Sequence, residues 1–174
     1  MAELPAGLSV HRHRDLEGRT RQPWYRRTLL ALVSVLPVLA LLNVFGQKPT
    51  TSRASGPAAT FTVDAPERLR GGLIYQGRFE VKALRDIHQL QLVLDRGWWE
   101  GMSVNSIEPN PSSESTQNGA VTLSFGSLNR GNTLVAWIYY QANPTNVGDR
   151  SQNAELDDGT KVLASVRRKV TIYP

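Results

Sequence analysis

Beyond residue 60 the chain holds few side chains able to do chemistry. Its one histidine there, His88, stands beside Gln89 and Gln91, and any Ser-His-Asp arrangement would have to be built on it. Gly101-Met102-Ser103-Val104-Asn105 is the nearest approach to a nucleophile elbow, and it lacks the second glycine and the strand-to-helix setting. Arg70-Gly71-Gly72 precedes a strand pattern rather than a helix, so it does not read as a phosphate loop. Asp157-Asp158-Gly159 has two carboxylates but no Asp-x-Asp spacing with a terminal Glu, which makes it a turn signal rather than a calcium loop. The chain has no cysteine, so thiol catalysis, Cys-based zinc sites and disulfide scaffolds are excluded. Catalysis, a metal site and a cofactor are therefore not expected.

Binding is the better prospect, at two places. In Gly97-Trp98-Trp99-Glu100-Gly101, strand alternation sends one tryptophan inward and one outward. An exposed Trp98 or Trp99 beside the Glu100 carboxylate could stack on a sugar or anchor a partner protein, and the alternative is that one indole plugs the core while the other caps a sheet edge. In the loop Gln141-Ala142-Asn143-Pro144-Thr145-Asn146-Val147-Gly148-Asp149-Arg150, the amides of Asn143 and Asn146 could bond a ligand, or close Asx turns on their own backbone. Pro144 disqualifies Asn143-Pro144-Thr145 as a glycosylation acceptor.

The elements that must position these groups are strands. Apolar residues alternate at Phe61, Val63 and Ala65; at Leu73, Tyr75, Phe79, Val81 and Ala83; at Leu90, Leu92 and Leu94; and at Val121, Leu123 and Phe125. Each run is bounded by Gly, Pro, Asn or Asp. The last run puts Val162, Ala164, Val166, Val170 and Ile172 on one face, with Arg168 the single violator, read as a bulge or a snorkelling side chain. Residues 133–142 are apolar on both faces, as for a central strand with a covered outer face, or one with a binding surface. The expected fold is an all-β, immunoglobulin-like antiparallel sandwich of seven or eight strands.

Ser127-Leu128-Asn129-Arg130-Gly131-Asn132-Thr133-Leu134, with the alternating run to Gln141, resembles the loop-and-strand segment of immunoglobulin-like modules on bacterial surface and membrane-anchored proteins. The resemblance covers 15–20 of the 174 residues. It implies an exported sandwich used for spacing or binding and assigns no functional residue.

A net charge of +5 and a pI near 9.9 would suit nucleic acid, but the charge is unevenly placed. Residues 1–47 carry six arginines against three acids, whereas residues 48–174 carry fourteen Lys/Arg against twelve acids. No nucleic-acid partner is expected. Residues 28–47 carry no charge and are long enough, at 1.5 Å per residue, to cross about 30 Å of hydrocarbon. Trp24, Tyr25, Arg26 and Arg27 supply the aromatic and basic anchor at its edge, and the arginine bias keeps the N-terminus cytoplasmic. The division is then a disordered basic tail over 1–23, a transmembrane helix over 24–47, a linker over 48–60 and the exported sandwich over 61–174.

No Ala-x-Ala follows the apolar run, so an uncleaved anchor is favoured over a signal peptide. Ala31, Ser34 and Ala40 do not form a Gly-x-x-x-Gly face, so no membrane dimer is specified. The functional expectation is a single-pass bacterial cell-membrane protein whose extracytoplasmic domain is a non-enzymatic interaction or accessory module for an envelope protein. The alternative is a cell-wall or carbohydrate-binding module using Trp98 and Trp99.

Overall fold

The computed structural model describes residues 22–42, 44 and 47–174. The expected tail up to residue 21 lies outside the described residues. The chain divides into two compact units, Met1–Val44 and Phe45–Pro174.

The first unit contains helix α1 (Gln22–Leu41). Pro23 occupies its first turn, where a missing N–H costs nothing. Pro37 lies inside the helix, a placement tolerated in membrane helices. Thr28 and Ser34 donate their hydroxyls back to the carbonyls of Trp24 (2.9 Å) and Leu30 (2.7 Å), satisfying polar groups within the helix. Leu29, Leu30, Leu32, Val33, Val35 and Leu36 are all more than half exposed. A soluble core helix buries an apolar face, and this one buries none of the apolar window from Pro23 to Leu41. It is long and apolar enough to cross a membrane. Trp24, Tyr25, Arg26 and Arg27 stand on its first turns, exposed.

The second unit is the expected all-β sandwich. Its strands are β1 (Pro49–Ser55), β2 (Ala59–Pro66), β3 (Arg68–Arg70), β4 (Ile74–Ala83), β5 (Ile87–Leu94), β6 (Met102–Glu108), β7 (Ser113–Gln117), β8 (Ala120–Leu128), β9 (Thr133–Ala142), β10 (Gly148–Ser151), β11 (Ala154–Asp158), β12 (Lys161–Val166) and β13 (Lys169–Tyr173). One five-stranded sheet has the order β1-β2-β4-β9-β6 and a second the order β12-β11-β5-β8-β7; a small third sheet runs β10-β13-β3. Pairing is antiparallel except between β13 and β3. Eight strands have six or more residues, in line with the expected seven or eight, and five shorter strands make up the rest.

The alternating residues form one core, in which Phe61, Phe79, Leu90, Leu92, Leu94, Trp98, Leu123, Ile138 and Tyr140 are almost wholly buried. Two predicted core positions are exposed: Leu73, which precedes β4 in a turn, and Val162, at the start of edge strand β12. Asp157-Asp158-Gly159 makes the β11–β12 turn, with Gly159 at φ 62°. There the Asp158 carboxylate accepts the backbone N–H groups of His88 and Gln89 at 3.0 and 2.8 Å.

The linker expected over 48–60 is corrected. Residues 49–55 pair with β2 in unbroken register from Pro49 with Pro66 to Ser55 with Thr60. The segment reads as linker because its inward positions, Thr50 and Ser52, are polar. They face the guanidinium of Arg168, the apparent violator of the last run. Arg168 keeps the inward parity of Val166 and Val170 and lies where the chain leaves β12 for β13. It is buried and neither bulged nor snorkelling. Nη1 donates to Thr50 O (3.0 Å), Ser52 Oγ (2.7 Å) and Val63 O (3.2 Å), and Nη2 to Thr50 Oγ1 (3.1 Å) and Ala65 O (2.5 Å). Burial lowers this guanidinium from its ordinary value, with Glu67 and Asp64 opposing the shift.

Candidate functional site

The first sequence candidate is folded inward. Residues Arg96–Trp98 form a 3₁₀ turn, in which successive side chains are about 120° apart instead of the 180° of a strand, so both indoles can face the core. Gly97 is required here, because a Cβ would lie 1.7 Å from Ser151 O on β10. Trp98 is fully buried, with its ring 5.1 Å from Phe79 and 5.6 Å from Tyr140, and its Nε1 donates to Asn153 O at 3.0 Å. Trp99 is half-buried, edge-on to Tyr140 at 6.2 Å and packed against the core. Glu100 is exposed and paired with Arg96 at 2.8 Å. Trp98 is thereby removed from the candidate binding surface.

The second candidate turns out to be the support of the first. Asn146 is buried, and its Nδ2 donates to Gly101 O (3.0 Å) and Glu100 O (3.3 Å), while its Oδ1 accepts from Arg150 Nη2 (3.1 Å). The Asn143 N–H donates to Gly101 O at 3.0 Å, and the exposed Asn143 side chain accepts from Ser103 Oγ at 3.4 Å. Gly101, at φ 69°, presses against the Asn146 amide. The two segments are therefore neighbours, and the Asn146 amide is engaged by Glu100, Gly101 and Arg150.

A more open arrangement lies on the outer face of β9, the strand the sequence reads as apolar on both sides. Ala136, Ile138, Tyr140 and Ala142 point into the core, while Val135, Trp137 and Tyr139 are half-buried on the other face, outside the core cluster. β9 is flanked by β4 and β6, and its main contacts within the sandwich are with those two strands. Register sets Arg78 and Glu108 beside Trp137, Gln76 and Ser106 beside Tyr139, and Glu80 beside Val135.

The Arg78 guanidinium lies 5.4 Å from the Trp137 ring centroid, within cation–π range. It also pairs with Asp64 at 2.9 Å and with Glu80. Partial burial lowers the Arg78 pKa, but the hydrogen bonds to the two carboxylates more than offset it and leave the guanidinium raised. A hollow of about 280 Å³ adjoins the patch, its lining including Gln47, Pro49, Pro66, Tyr75, Arg78 and Trp137. That is slightly below the roughly 300–1,000 Å³ of small-molecule pockets.

His88 is exposed at the start of β5. Among the described residues no group of three His, Asp or Glu side chains is placed to share a metal ion.

Fold and face together describe an antiparallel β-sandwich with an aromatic, charge-rimmed sheet face, following one apolar helix. No protein-family model matches the chain, and no curated protein matches it. Among solved structures, it is similar to CaCohA2 from Clostridium acetobutylicum (TM-score 0.45, 9% identity, over 68% of this chain and 92% of that one). It is also similar to the CARDB domain of the PF1109 protein from Pyrococcus furiosus (0.41, 13%, 73% and 96%). A third is a non-cellulosomal cohesin from Archaeoglobus fulgidus (0.39, 11%, 73% and 92%). At this level of similarity no residue role and no ligand is carried across.

Proposed function

We propose that this chain is a single-pass membrane protein whose exported sandwich is a non-enzymatic interaction module, gripping an envelope protein close to the membrane through the outer face of β9. The observation that carries the reading is the Trp137–Arg78–Tyr139 cluster. Tryptophan, tyrosine and arginine are the side chains that dominate protein interfaces, and here they stand together on a sheet centre with Asp64, Glu80 and Glu108 as a polar rim. The adjoining hollow, at about 280 Å³, is large enough to take a partner side chain. Export of the sandwich rests on the arginine bias before the apolar helix. The carbohydrate reading on Trp98 and Trp99 has no support from a fully buried Trp98.

The test is site-specific photocrosslinking in intact membranes. A photoreactive residue at Tyr139 should give one discrete adduct, identifiable by mass spectrometry. Trp137→Ala should cut its yield at least about tenfold, since hot-spot truncations cost 2 kcal/mol or more. The same probe at Ser115, on the exposed edge strand β7, should give none. Equal adducts from both positions would refute the reading.

A further inference from the structure

A second concavity, of about 530 Å³, is lined by Glu67, Arg68, Arg167, Arg168, Lys169 and Thr171. It is assembled from the chain between β2 and β3, the crossing from β12 to β13, and the start of β13. The Thr171 N–H donates to Glu67 O at 2.9 Å, and register sets Arg68 beside Thr171. Three carboxylates act on these cations, among them Asp64 on Arg168. Glu67 belongs to the lining, and Asp149 of β10 pairs with Lys169 at 3.0 Å and accepts from Thr171 Oγ1 at 2.7 Å. Four basic side chains against three acidic ones leave the cleft with one positive charge in excess.

Its position gives that charge a meaning. Pro49 pairs with Pro66, so the chain enters the sandwich at the end of β2, one residue from Glu67. The buried Arg168 of the cleft holds Thr50, the second residue of β1. Pro49 follows the last residue of α1 by eight positions, a contour of at most about 28 Å. If α1 spans a bilayer, the entry end of the sandwich and its cationic cleft are confined near the headgroups, where a tether maintains a high effective concentration.

We infer that this cleft is a membrane-docking site that takes the phosphate groups of anionic lipid headgroups on Arg68, Arg167 and Lys169. The inference rests on the anchored reading proposed above.

The absence of native cysteines makes labelling straightforward. The full chain carrying Ser165→Cys, two residues before Arg167, or Ser115→Cys on β7 as the distant reference, is labelled with a fluorophore. It is reconstituted into vesicles of phosphatidylcholine alone or with phosphatidylglycerol, each containing a headgroup-attached quencher. Phosphatidylglycerol should increase quenching at position 165 several-fold and leave position 115 unchanged. The gain should fall about fivefold for each charge removed in Arg68→Gln, Arg167→Gln and Lys169→Gln, and disappear at high salt. Arg68→Lys with Arg167→Lys should retain it, which separates loss of charge from loss of fold.

Equal quenching in the two lipids overturns the inference. So does insensitivity to the glutamine changes, or preferential retention of a soluble polyanion such as polyphosphate by the full chain in detergent. Vesicle flotation reports separately on the anchor. A chain that fails to float with either lipid refutes the anchored reading, whereas one that floats with both but is quenched equally refutes only the headgroup site.

Discussion

Replacing Arg168 with methionine tests the interpretation of β1 most directly. The side chain keeps an unbranched apolar stem, two atoms shorter, but loses five hydrogen bonds, to Thr50 O, Thr50 Oγ1, Ser52 Oγ, Val63 O and Ala65 O. Hydrogen bonds from a charged donor contribute about 1.5–3 kcal/mol each before the guanidinium's own desolvation is subtracted, and that desolvation amounts to several kcal/mol. The substitution removes both terms and leaves two inward hydroxyls of β1 without their donor, at about 1–3 kcal/mol apiece when they stay buried. A net loss of about 2–4 kcal/mol is expected, concentrated on β1. At 1.4 kcal/mol per decade this is roughly a 30- to 1,000-fold fall in hydrogen-exchange protection across residues 49–55. The assay is amide exchange on the full chain in detergent, read peptide by peptide by mass spectrometry. Arg168→Lys, which keeps the charge but not the fork, should fall between, and Arg167→Met on the exposed neighbour should change nothing beyond about 0.5 kcal/mol. If Arg168→Met leaves β1 protection unchanged or raises it, desolvation outweighs the bonds, as in other buried charges replaced by apolar residues, and Arg168 is not what holds β1.

Other consequences are as specific. Trp98→Ala should destabilise the sandwich by about 3–5 kcal/mol, the usual cost of emptying a large core site, measured by thermal unfolding. Trp137→Ala, outside the core, should cost no more than about 1 kcal/mol, the worth of an exposed cation–π contact, so any loss of partner crosslinking would not be a folding effect. Gly97→Ala forces a methyl group into Ser151 O and should lower the unfolding temperature, while Gly131→Ala, with open space at its Cβ, meets only the strain of its positive φ. Alkaline stability follows from two buried tyrosines. Burial raises the hydroxyl of Tyr75 against a hydrogen bond from Gln152 that lowers it, and burial with the neighbouring Tyr75 raises that of Tyr140. With folded values above the unfolded value of about 10, their contribution is complete below pH 10. It is lost above that at about 1.4 kcal/mol per pH unit for each tyrosine; a denaturation midpoint unchanged from pH 9 to 12 would contradict this.

The large elements were legible because their alternation is strict. Phe61, Val63 and Ala65, or Leu90, Leu92 and Leu94, have period two with turn residues at each end, and both runs are buried as their parity demands. The tryptophan pair was misplaced because alternation was applied to residues that form a 3₁₀ turn, and local sequence does not show that Gly97 lies on Ser151. β1 was missed for a different reason. Its inward residues are polar, and the group that makes them acceptable inside stands more than a hundred positions later. Two irregularities, a charged residue at an inward position of the last run and a polar run before the first strand, were two halves of one arrangement. The outer face of β9 was half legible, since a doubly apolar strand announces either a cover or a partner, and Val135, Trp137 and Tyr139 lie outside the core cluster.

The separation of Arg168 from β1 also sets an order in time. Thr50 and Ser52 are among the first residues of the sandwich to be synthesised, and the guanidinium that satisfies them follows 118 and 116 residues later. During synthesis, β1 can pair with β2 as soon as both have emerged, but its inner hydroxyls have no donor until the crossing between β12 and β13 arrives. The strand that follows the apolar helix in sequence is therefore the last to be secured, and a nascent domain missing its final stretch would expose a loose edge strand. Closure of the first strand thus reports that the last has been delivered.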